Sequence, residues 1–169
     1  MISNFTPAGY RWASEFENVH VLWPFHEPGF VVAGVQFAGP EQFYQVHKHP
    51  DAALWPDRTT PAFAEALNQV AAAPELDAYD WGQVCKLRSD WEAVNVEIMR
   101  QAVGHKFRAD AGLRELLVST EPAPLASVKG DDFWGIGFDG RGQNMLAVLL
   151  MELRAELIDE SASSPHEVM

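Results

Sequence analysis

The stretch Phe-Val-Val-Ala-Gly-Val-Gln-Phe at residues 30–37, followed by Pro-Glu-Gln-Phe-Tyr-Gln-Val-His-Lys at residues 40–48, decides the fold. Apolar residues on both sides of an Ala-Gly pair predict a strand or β-hairpin with its turn at residues 33–34. Pro40 suits the first turn of a helix, where its missing N–H costs nothing. The helix is predicted to cover residues 41–48 and to end before the next proline.

Helices are predicted to dominate the rest of the chain. Ser89 and Glu92 have capping-box spacing and predict a helix that ends near Phe107. Further helices are predicted over residues 61–73, 110–119 and 143–158, loops over 49–61 and 131–142, and short strands near 19–23 and at 125–128. The sequence therefore predicts one mostly α-helical α+β domain with a few short strands over residues 1–160, and a flexible C-terminal tail over 161–169.

Composition narrows the classes of partner. The 169 residues carry a formal net charge of −12, which argues against a broad surface for nucleic acid because neutralising phosphates needs Lys and Arg. Cys85 is the single cysteine, so no internal disulfide is possible and a reducing, cytoplasmic setting is expected. No apolar run reaches membrane-spanning length and no signal peptide is recognisable, so no membrane association is expected.

One face of the first predicted helix carries unusual chemistry. At 100° per residue, Glu41, Gln45 and Lys48 share a face, with Tyr44 beside them. Glu41 and Lys48 are separated by roughly 10 Å along the axis, too far for a direct ion pair but suitable for reaching one ligand from two sides. On spacing alone, a solvated polar face is the favoured interpretation, and a ligand site is the alternative.

The start of the long helix near residue 91 is also ambiguous. Trp91 fits the apolar stripe and is expected to lie in the core, although it could stack on a ligand. Asp90 is favourable in the first turn through the helix dipole. Arg88 could bind a phosphate or a carboxylate, or form an ordinary surface pair.

The glycine-rich loop of residues 131–142 is harder to explain by folding alone. Trp134 beside Gly135 places a large ring next to flexible backbone, as a stacking wall would need. Gly142 and the following residues open a helix, whose free N–H groups favour anions. Asn144 could bind a ligand there or serve as a plain helix cap.

Other chemistries have no support in the sequence. The six histidines show no metal-ligand spacing and are predicted to be surface residues. Neither a P-loop nor a Gly-x-Ser-x-Gly nucleophile motif is present. No metal site and no cofactor are therefore expected.

Taken together, these fragments resemble the NADAR family, also called YbiA-like, which is associated with N-glycosidase activity. The family pattern Phe-x4-Phe-x3-Gly-x2-Trp-x3-Glu-His-x2-Gln-x2-Lys is matched by Phe25, Phe30, Gly34, Phe37, Glu41, Gln42, Gln45 and Lys48, with Phe37 for Trp and Gln42 for His. Further matches are Gly82 to Trp91 with Gln83 for Arg, Met99, Lys106-Phe107, Asp131 to Gly137, Gly142 to Leu146, Met151 and Arg154. The resemblance covers about residues 22–158, with Trp23-Pro24 where the family usually has Ser-Asn and with Ala126 where it commonly has Glu.

The resemblance implies a YbiA-like fold and cleavage of the N-glycosidic bond of a phosphorylated riboside. Early riboflavin-pathway intermediates and ADP-ribose attached to guanine bases are examples of substrates associated with the family. Carried over to this chain, the resemblance implies that Glu41 is the carboxylate near the anomeric carbon and that Asp131 is a supporting acid or an orienting group. Lys48 either binds the ribose phosphate or attacks the opened sugar as an amine.

The remaining site residues are expected to bind substrate. They are Gln45, Tyr44, Arg88, Trp91, Trp134, Gly135 and Asn144, with the Gly142 backbone beside Asn144 holding a hydroxyl or phosphate. All of these are expected to line one cavity with Glu41 and Lys48. The partner is then a small-molecule riboside or ADP-ribose conjugate. The alternatives are a nucleotide-binding module that has lost catalysis and an acidic protein-interaction regulator.

Overall fold

The computed structural model describes residues 11–12, 29–128 and 130–163, and within this part of the chain six α-helices accompany two short strand pairs. The strands are β1 (Arg11–Trp12), β2 (Phe30–Val32), β3 (Val35–Phe37) and β4 (Leu125–Ala126). The helices are α1 (Pro40–Val46), α2 (Pro61–Val70), α3 (Glu75–Val84), α4 (Trp91–Ala109), α5 (Ala111–Val118) and α6 (Met145–Ser163), with a 3₁₀ helix at Pro50–Leu54. The predicted mostly α-helical α+β class is confirmed.

The described residues form two compact units. We call residues 29–110 the helical unit, and residues 11–12 with 111–163 the terminal unit. The last helix extends to Ser163, three residues into the predicted tail, and residues 164–169 lie outside the described part. The domain boundary at residue 160 stays a prediction.

The helical unit begins with the predicted hairpin. Strands β2 and β3 pair antiparallel, with Phe30 opposite Phe37. Ala33 and Gly34 at the turn have φ angles of 48° and 80°. Positive φ at both central residues is the geometry that matches the twist of a tight hairpin, and it favours a small or glycine residue there.

Helix α1 lies at the centre of this unit. All seven of its residues are buried, and it packs against α2, α3, α4 and β3. It ends at Val46, two residues before the predicted end, because the N–H groups of Lys48 and His49 turn back to the carbonyls of Gln45 and Val46. Phe43 on its apolar face meets Phe37 edge to face at 5.1 Å, and Trp55 contacts both Phe43 and Phe63 in the same aromatic core.

Two further elements of the helical unit differ from the predictions. Residues 50–54 are a 3₁₀ helix within the predicted loop, and α3 has no counterpart in the predicted set. Helix α3 buries only Ala78 and Gly82, so it has no stripe of large apolar residues for a periodicity analysis to detect. The predicted capping box of Ser89 is also absent, since Asp90 is the N-cap of α4 and makes no side-chain cap bond.

The terminal unit packs around α6. Its predicted stripe is confirmed, with Leu146, Leu149, Leu150, Leu153 and Leu157 all buried. Strand β4 lies where it was predicted and pairs in parallel with β1, which was not predicted. The strand expected near residues 19–23 lies outside the described residues. None of the described helices is long and apolar enough to cross a membrane.

Candidate active site

A buried acid–amide pair lies on α1. The Gln45 amide nitrogen donates to the Glu41 carboxylate across 2.5 Å, one helical turn apart. Glu41 is 8% exposed and Gln45 3%. The favoured expectation of a solvated polar face is therefore wrong, because α3 and α4 cover the side of α1 that carries these groups.

Lys48 lies in the turn beyond α1 and points its amine into the same region. Its Nζ donates to the Gly82 carbonyl at 3.3 Å. The rings of Tyr44 and Trp91 lie 5.7 and 5.9 Å from that nitrogen, within the range of cation–π attraction. Those two rings meet edge to face at 5.0 Å, so Trp91 serves the core as expected and also forms a wall beside the amine.

Burial changes the acid–base behaviour of this amine. Desolvation lowers the pKa of Lys48, and the nearby charges of Glu41 and Cys85 partly oppose that shift. Burial likewise raises the pKa of the Cys85 thiol, with the Lys48 charge opposing it. A larger fraction of Lys48 is thus neutral near pH 7 than of an exposed lysine, which is what a nucleophilic amine requires.

Gly82 is the point of α3 that makes room for this arrangement. A Cβ added to it would overlap the Gln45 amide oxygen and come within 2.7 Å of the amide carbon. Only glycine therefore allows the Gln45 side chain to lie flat against α3. This close approach gives a physical reason for the glycine at the start of the second matched motif.

Arg88 and Asp90 form the ordinary ion pair that was one of two expectations. Two nitrogens of Arg88 contact the two carboxylate oxygens of Asp90 at 2.6 and 2.9 Å, and the hydrogen bond lowers the pKa of Asp90. The Arg88 backbone N–H donates to the Lys48 carbonyl at 2.8 Å. Arg88 thus anchors the turn that carries Lys48, while its role in substrate binding stays a prediction.

In the terminal unit, Asp131 organises the glycine-rich loop. One of its carboxylate oxygens accepts the backbone N–H groups of Phe133 and Trp134, at 2.8 and 2.5 Å. The Trp134 ring is half-buried and meets the Phe133 ring edge to face at 4.9 Å. Asp131 itself is exposed, so a ligand can reach it from solvent. Its role as a supporting acid stays a prediction.

The backbone N–H groups at the start of α6, which were expected to favour an anion, are hydrogen-bonded within the protein, and anion binding there stays a prediction. The backbone N–H groups of residues 142–146 all donate to loop carbonyls, those of Ile136, Asp132, Gly135, Phe133 and Trp134 in that order, over 2.7–3.1 Å. The helix start is therefore already saturated by the loop in front of it. The Gly142 N–H cannot hold a phosphate without breaking its bond to Ile136.

Asn144 is the structural clamp of this unit. Its amide oxygen accepts from the Ser127 N–H at 2.8 Å, and its amide nitrogen donates to the Leu125 carbonyl at 3.0 Å. Its φ of 57° is left-handed, a conformation that Asn tolerates better than most residues. These contacts fasten β4 to the start of α6, and ligand binding by Asn144 stays a prediction.

His47 contradicts the prediction of surface histidines. It is 4% exposed, its ring packs against the Phe43 ring with the centroids 4.0 Å apart, and its Nδ1 lies 2.6 Å from the Phe43 carbonyl oxygen. Burial lowers its pKa to about 4, although that hydrogen bond works in the opposite direction. Across the described residues, no three His, Cys, Asp or Glu side chains are grouped to hold a metal.

The predicted site residues fall into two groups. Glu41, Tyr44, Gln45, Lys48, Arg88 and Trp91 lie in the helical unit, and Asp131, Trp134, Gly135 and Asn144 lie in the terminal unit. Contacts within the first group bring the acid, the amide, the amine and two rings together. That both groups line one cavity stays a prediction.

The NADAR domain model matches residues 1–158. The chain belongs to the NADAR family. N-glycosidase YbiA of Escherichia coli (strain K12) is 47% identical over 147 residues, covering 86% of this chain and 82% of that protein. N-glycosidase Npun_R5314 of Nostoc punctiforme is 34% identical over 139 residues, covering 79% of this chain and 82% of its own length.

Two further comparisons extend this picture. The riboflavin biosynthesis protein PYRR of Arabidopsis thaliana, a chloroplastic protein, is 42% identical over 79 residues, which cover 46% of this chain and only 13% of PYRR. The NMR structure of E. coli YbiA superposes with a TM-score of 0.69 at 31% identity, covering 87% of this chain and 83% of YbiA. The YbiA-like fold is confirmed, and the identity over most of the chain supports an N-glycosidase activity for this NADAR protein.

The family match also corrects where the resemblance begins. It starts at residue 1 and so includes a Ser-Asn-Phe tripeptide at residues 3–5. The expected start at residue 22 was therefore too late, and the Ser-Asn-Phe of the family lies at residues 3–5 rather than at the position of Trp23-Pro24-Phe25.

Proposed function

We propose that this NADAR protein hydrolyses the N-glycosidic bond of a small phosphorylated riboside or of an ADP-ribose conjugate. The observation that carries the proposal is the buried Glu41 carboxylate, held by Gln45 in the same region as the Lys48 amine. The names of the relatives support the bond type, since two are N-glycosidases. The plant relative, a riboflavin biosynthesis protein, favours a riboflavin-pathway riboside as one substrate.

Glu41 suits the central electrostatic demand of the reaction. As the bond between the anomeric carbon and the nitrogen breaks, positive charge develops on the sugar ring. A carboxylate held in a buried site stabilises that charge more strongly than one in water. Water then adds its oxygen to the anomeric carbon, and a proton is delivered to the leaving nitrogen, for which Asp131 is the proposed source.

Lys48 has two roles consistent with its surroundings. As an ammonium, it would be a fixed cation for the ribose phosphate, and the rings of Tyr44 and Trp91 stabilise that form. As a neutral amine, it would add to C1 of the ring-opened sugar; the bond between C1 and the leaving nitrogen then breaks as the base departs with a proton, and water hydrolyses the resulting Schiff base to free the sugar and the amine. The lowered pKa of Lys48 favours the second role.

The two tryptophans of the candidate site suit different roles in substrate binding. Trp91 is 7% exposed and packed against Tyr44, so it suits a wall that excludes water from the amine. The half-buried Trp134 is more exposed than Trp91 and is the better candidate for stacking on the leaving base. Gly135 beside it allows the backbone to approach a ligand closely.

The test uses a panel of two probes: a pyrimidine carrying a 5′-phosphorylated ribosylamine, and guanosine carrying ADP-ribose on its base. Mass spectrometry measures the released leaving group, which is the aminopyrimidine for the first probe and guanosine for the second. Glu41→Gln is expected to lower kcat by about a hundredfold or more, since it removes the stabilising charge. Glu65→Gln is a matched control, because Glu65 also accepts a bond from a glutamine four residues on, Gln69, but on the exposed face of α2.

Lys48 is tested separately on the same probes. Lys48→Met is expected to reduce kcat at least tenfold, and reduction with borohydride during turnover is expected to attach the sugar to Lys48 if the Schiff base forms. Retained turnover in both Glu41→Gln and Lys48→Met would refute the assignment. Binding of ADP-ribose, measured by calorimetry, without release of the aminopyrimidine or of guanosine from the probes would instead identify a binding module.

A further inference from the structure

Each charged group of the candidate site has a neutral partner in this structure. The Glu41 carboxylate accepts from the Gln45 amide, and the Lys48 amine donates to the Gly82 carbonyl. The two charges are nevertheless close enough that Glu41 raises the pKa of the Lys48 amine. The acid and the amine therefore interact electrostatically, although each of them is hydrogen-bonded to an uncharged group.

A single turn of α3 holds both of these neutral partners in place. The Cα of Gly82 faces the Gln45 amide so closely that a Cβ would overlap its oxygen. The carbonyl of Gly82 is the acceptor for the Lys48 amine. The position of this turn thus fixes the Gln45 amide and the Lys48 amine relative to each other.

The Gln45 amide oxygen makes this arrangement unusual. Gln45 is 3% exposed, and its oxygen is buried without a hydrogen-bond donor. A buried acceptor without a donor costs free energy and is uncommon in native proteins. Here the short hydrogen bond from the amide nitrogen to the Glu41 carboxylate holds the amide in this orientation.

We infer that Gln45 is a positioning residue that fixes the orientation of the Glu41 carboxylate for the reaction. The inference rests on the proposed function and takes the place of the expectation that Gln45 binds substrate. The Gln45 amide is itself held between the carboxylate and the turn of α3 at Gly82, so it has one position from which to donate. Without the amide, the carboxylate loses this hydrogen bond and is free to rotate out of that orientation.

The first test is Gln45→Met, which keeps the length of the side chain and removes both polar atoms. On the phosphoribosyl-pyrimidine probe, kcat is expected to fall at least tenfold with KM changed less than threefold. A substrate ligand would behave in the opposite way. A raised KM with unchanged kcat would therefore overturn the inference while leaving the proposed function intact.

The second test gives a pH signature that a purely structural role would not produce. In Gln45→Glu, the new carboxyl can donate to Glu41 only when it is protonated, so kcat relative to wild type is expected to recover as the pH falls from 8 towards 5. The titratable groups coupled to Lys48 are Glu41 and Cys85, and the raised pKa of Cys85 keeps its thiol neutral over this range. From α4, the facing residue is the uncharged Trp91.

Gln42→Met is the matched control on the same helix. Gln42 is also buried, at 2% exposed, but its amide donates to the Ala73 carbonyl at 2.8 Å, away from the acid–amine pair. Its substitution is expected to lower stability without changing the pH profile of kcat. A ratio of Gln45→Glu to wild-type kcat that stays constant with pH would refute the inference, and this variant decides alone if Gln45→Met does not fold.

Discussion

Replacing Gly82 with alanine tests the packing on which the site depends. The added methyl group would overlap the Gln45 amide oxygen and approach its Cδ and Cβ to 2.7 and 3.3 Å. Because Gln45 is 3% exposed, its side chain has little space into which it can withdraw. The substitution therefore either displaces Gln45 from Glu41 or forces α3 away from α1.

The magnitude follows from three opposing contributions. Alanine in a helix gains at most about 1 kcal/mol over glycine. Overpacking a buried site costs about 1–3 kcal/mol, and losing a hydrogen bond to a charged group costs roughly 1.5–3 kcal/mol. The net effect of Gly82→Ala is thus a destabilisation of about 3 kcal/mol, within a range of about 1.5–5 kcal/mol, or roughly 6–12 °C in Tm for a chain of this length.

Gly104→Ala is the matched control for the backbone contribution. Gly104 is also a buried helical glycine, but its added Cβ would meet only the flexible end of Arg108, at 3.1 Å. This variant is expected to be as stable as the wild type or more stable, by up to about 1 kcal/mol. Urea denaturation and calorimetric Tm values measure both variants under the same conditions.

A double variant separates steric overlap from other effects. In the Gln45→Ala background, Gly82→Ala no longer meets the amide, so its cost is expected to vanish. The resulting coupling free energy is therefore expected to be about 3 kcal/mol, the cost that Gly82→Ala has in the wild-type background. Equal stabilities of Gly82→Ala and Gly104→Ala would refute the close packing of Gln45 on α3, and with it the fixed position of Glu41.

Two further predictions concern stability. The pKa of His47 is 6.5 in the unfolded chain and about 4 in the folded protein. The neutral, buried imidazole therefore stabilises the fold fully above pH 6.5, and this stabilisation is lost as the pH falls towards 4. At pH 5 the free energy of unfolding is expected to be about 2 kcal/mol lower than at pH 7.5 because of this histidine. In His47→Leu, urea denaturation is expected to show a free energy of unfolding without that part of the pH dependence. The same pH dependence in the variant and the wild type would contradict this. Asn144→Ala removes two hydrogen bonds and places alanine at positive φ, so its free energy of unfolding is expected to be about 2–3 kcal/mol lower in the same assay. Asn144→Gly is expected to be about 1 kcal/mol more stable than Asn144→Ala, because glycine tolerates that φ. Unchanged stability would show that Asn144 does not clamp the fold.

Local patterns account for the elements that the sequence predicted correctly. The hairpin at residues 30–37 follows from apolar runs around a turn that needs positive φ. The buried stripe of α6 follows from leucines that recur every three or four residues. Both signals act within a few residues along the chain, so they need no knowledge of what packs against them.

Helix α3 shows where such patterns fail. Its buried positions, Ala78 and Gly82, are small because α1 approaches closely, and small residues carry little hydrophobic signal. The same contact between α1 and α3 buries the face of α1 that carries Glu41, although the polar residues on that face predicted that it would be solvated. Likewise, no local rule indicates that the loop of residues 131–136 supplies carbonyls for every N–H at the start of α6.

The order and spacing of the motifs by themselves determined the family, the fold class and most of the candidate residues, because those depend on residue types at fixed intervals. Tertiary structure alone decided that Glu41 is held by Gln45, that Lys48 is desolvated beside two rings, and that Asn144 serves β4 rather than an open helix end. Burial and hydrogen-bond partners come from segments distant along the chain, and charge and reactivity depend on those partners. The identity of a residue therefore limits what it can do, and its neighbours in three dimensions decide which of those things it does.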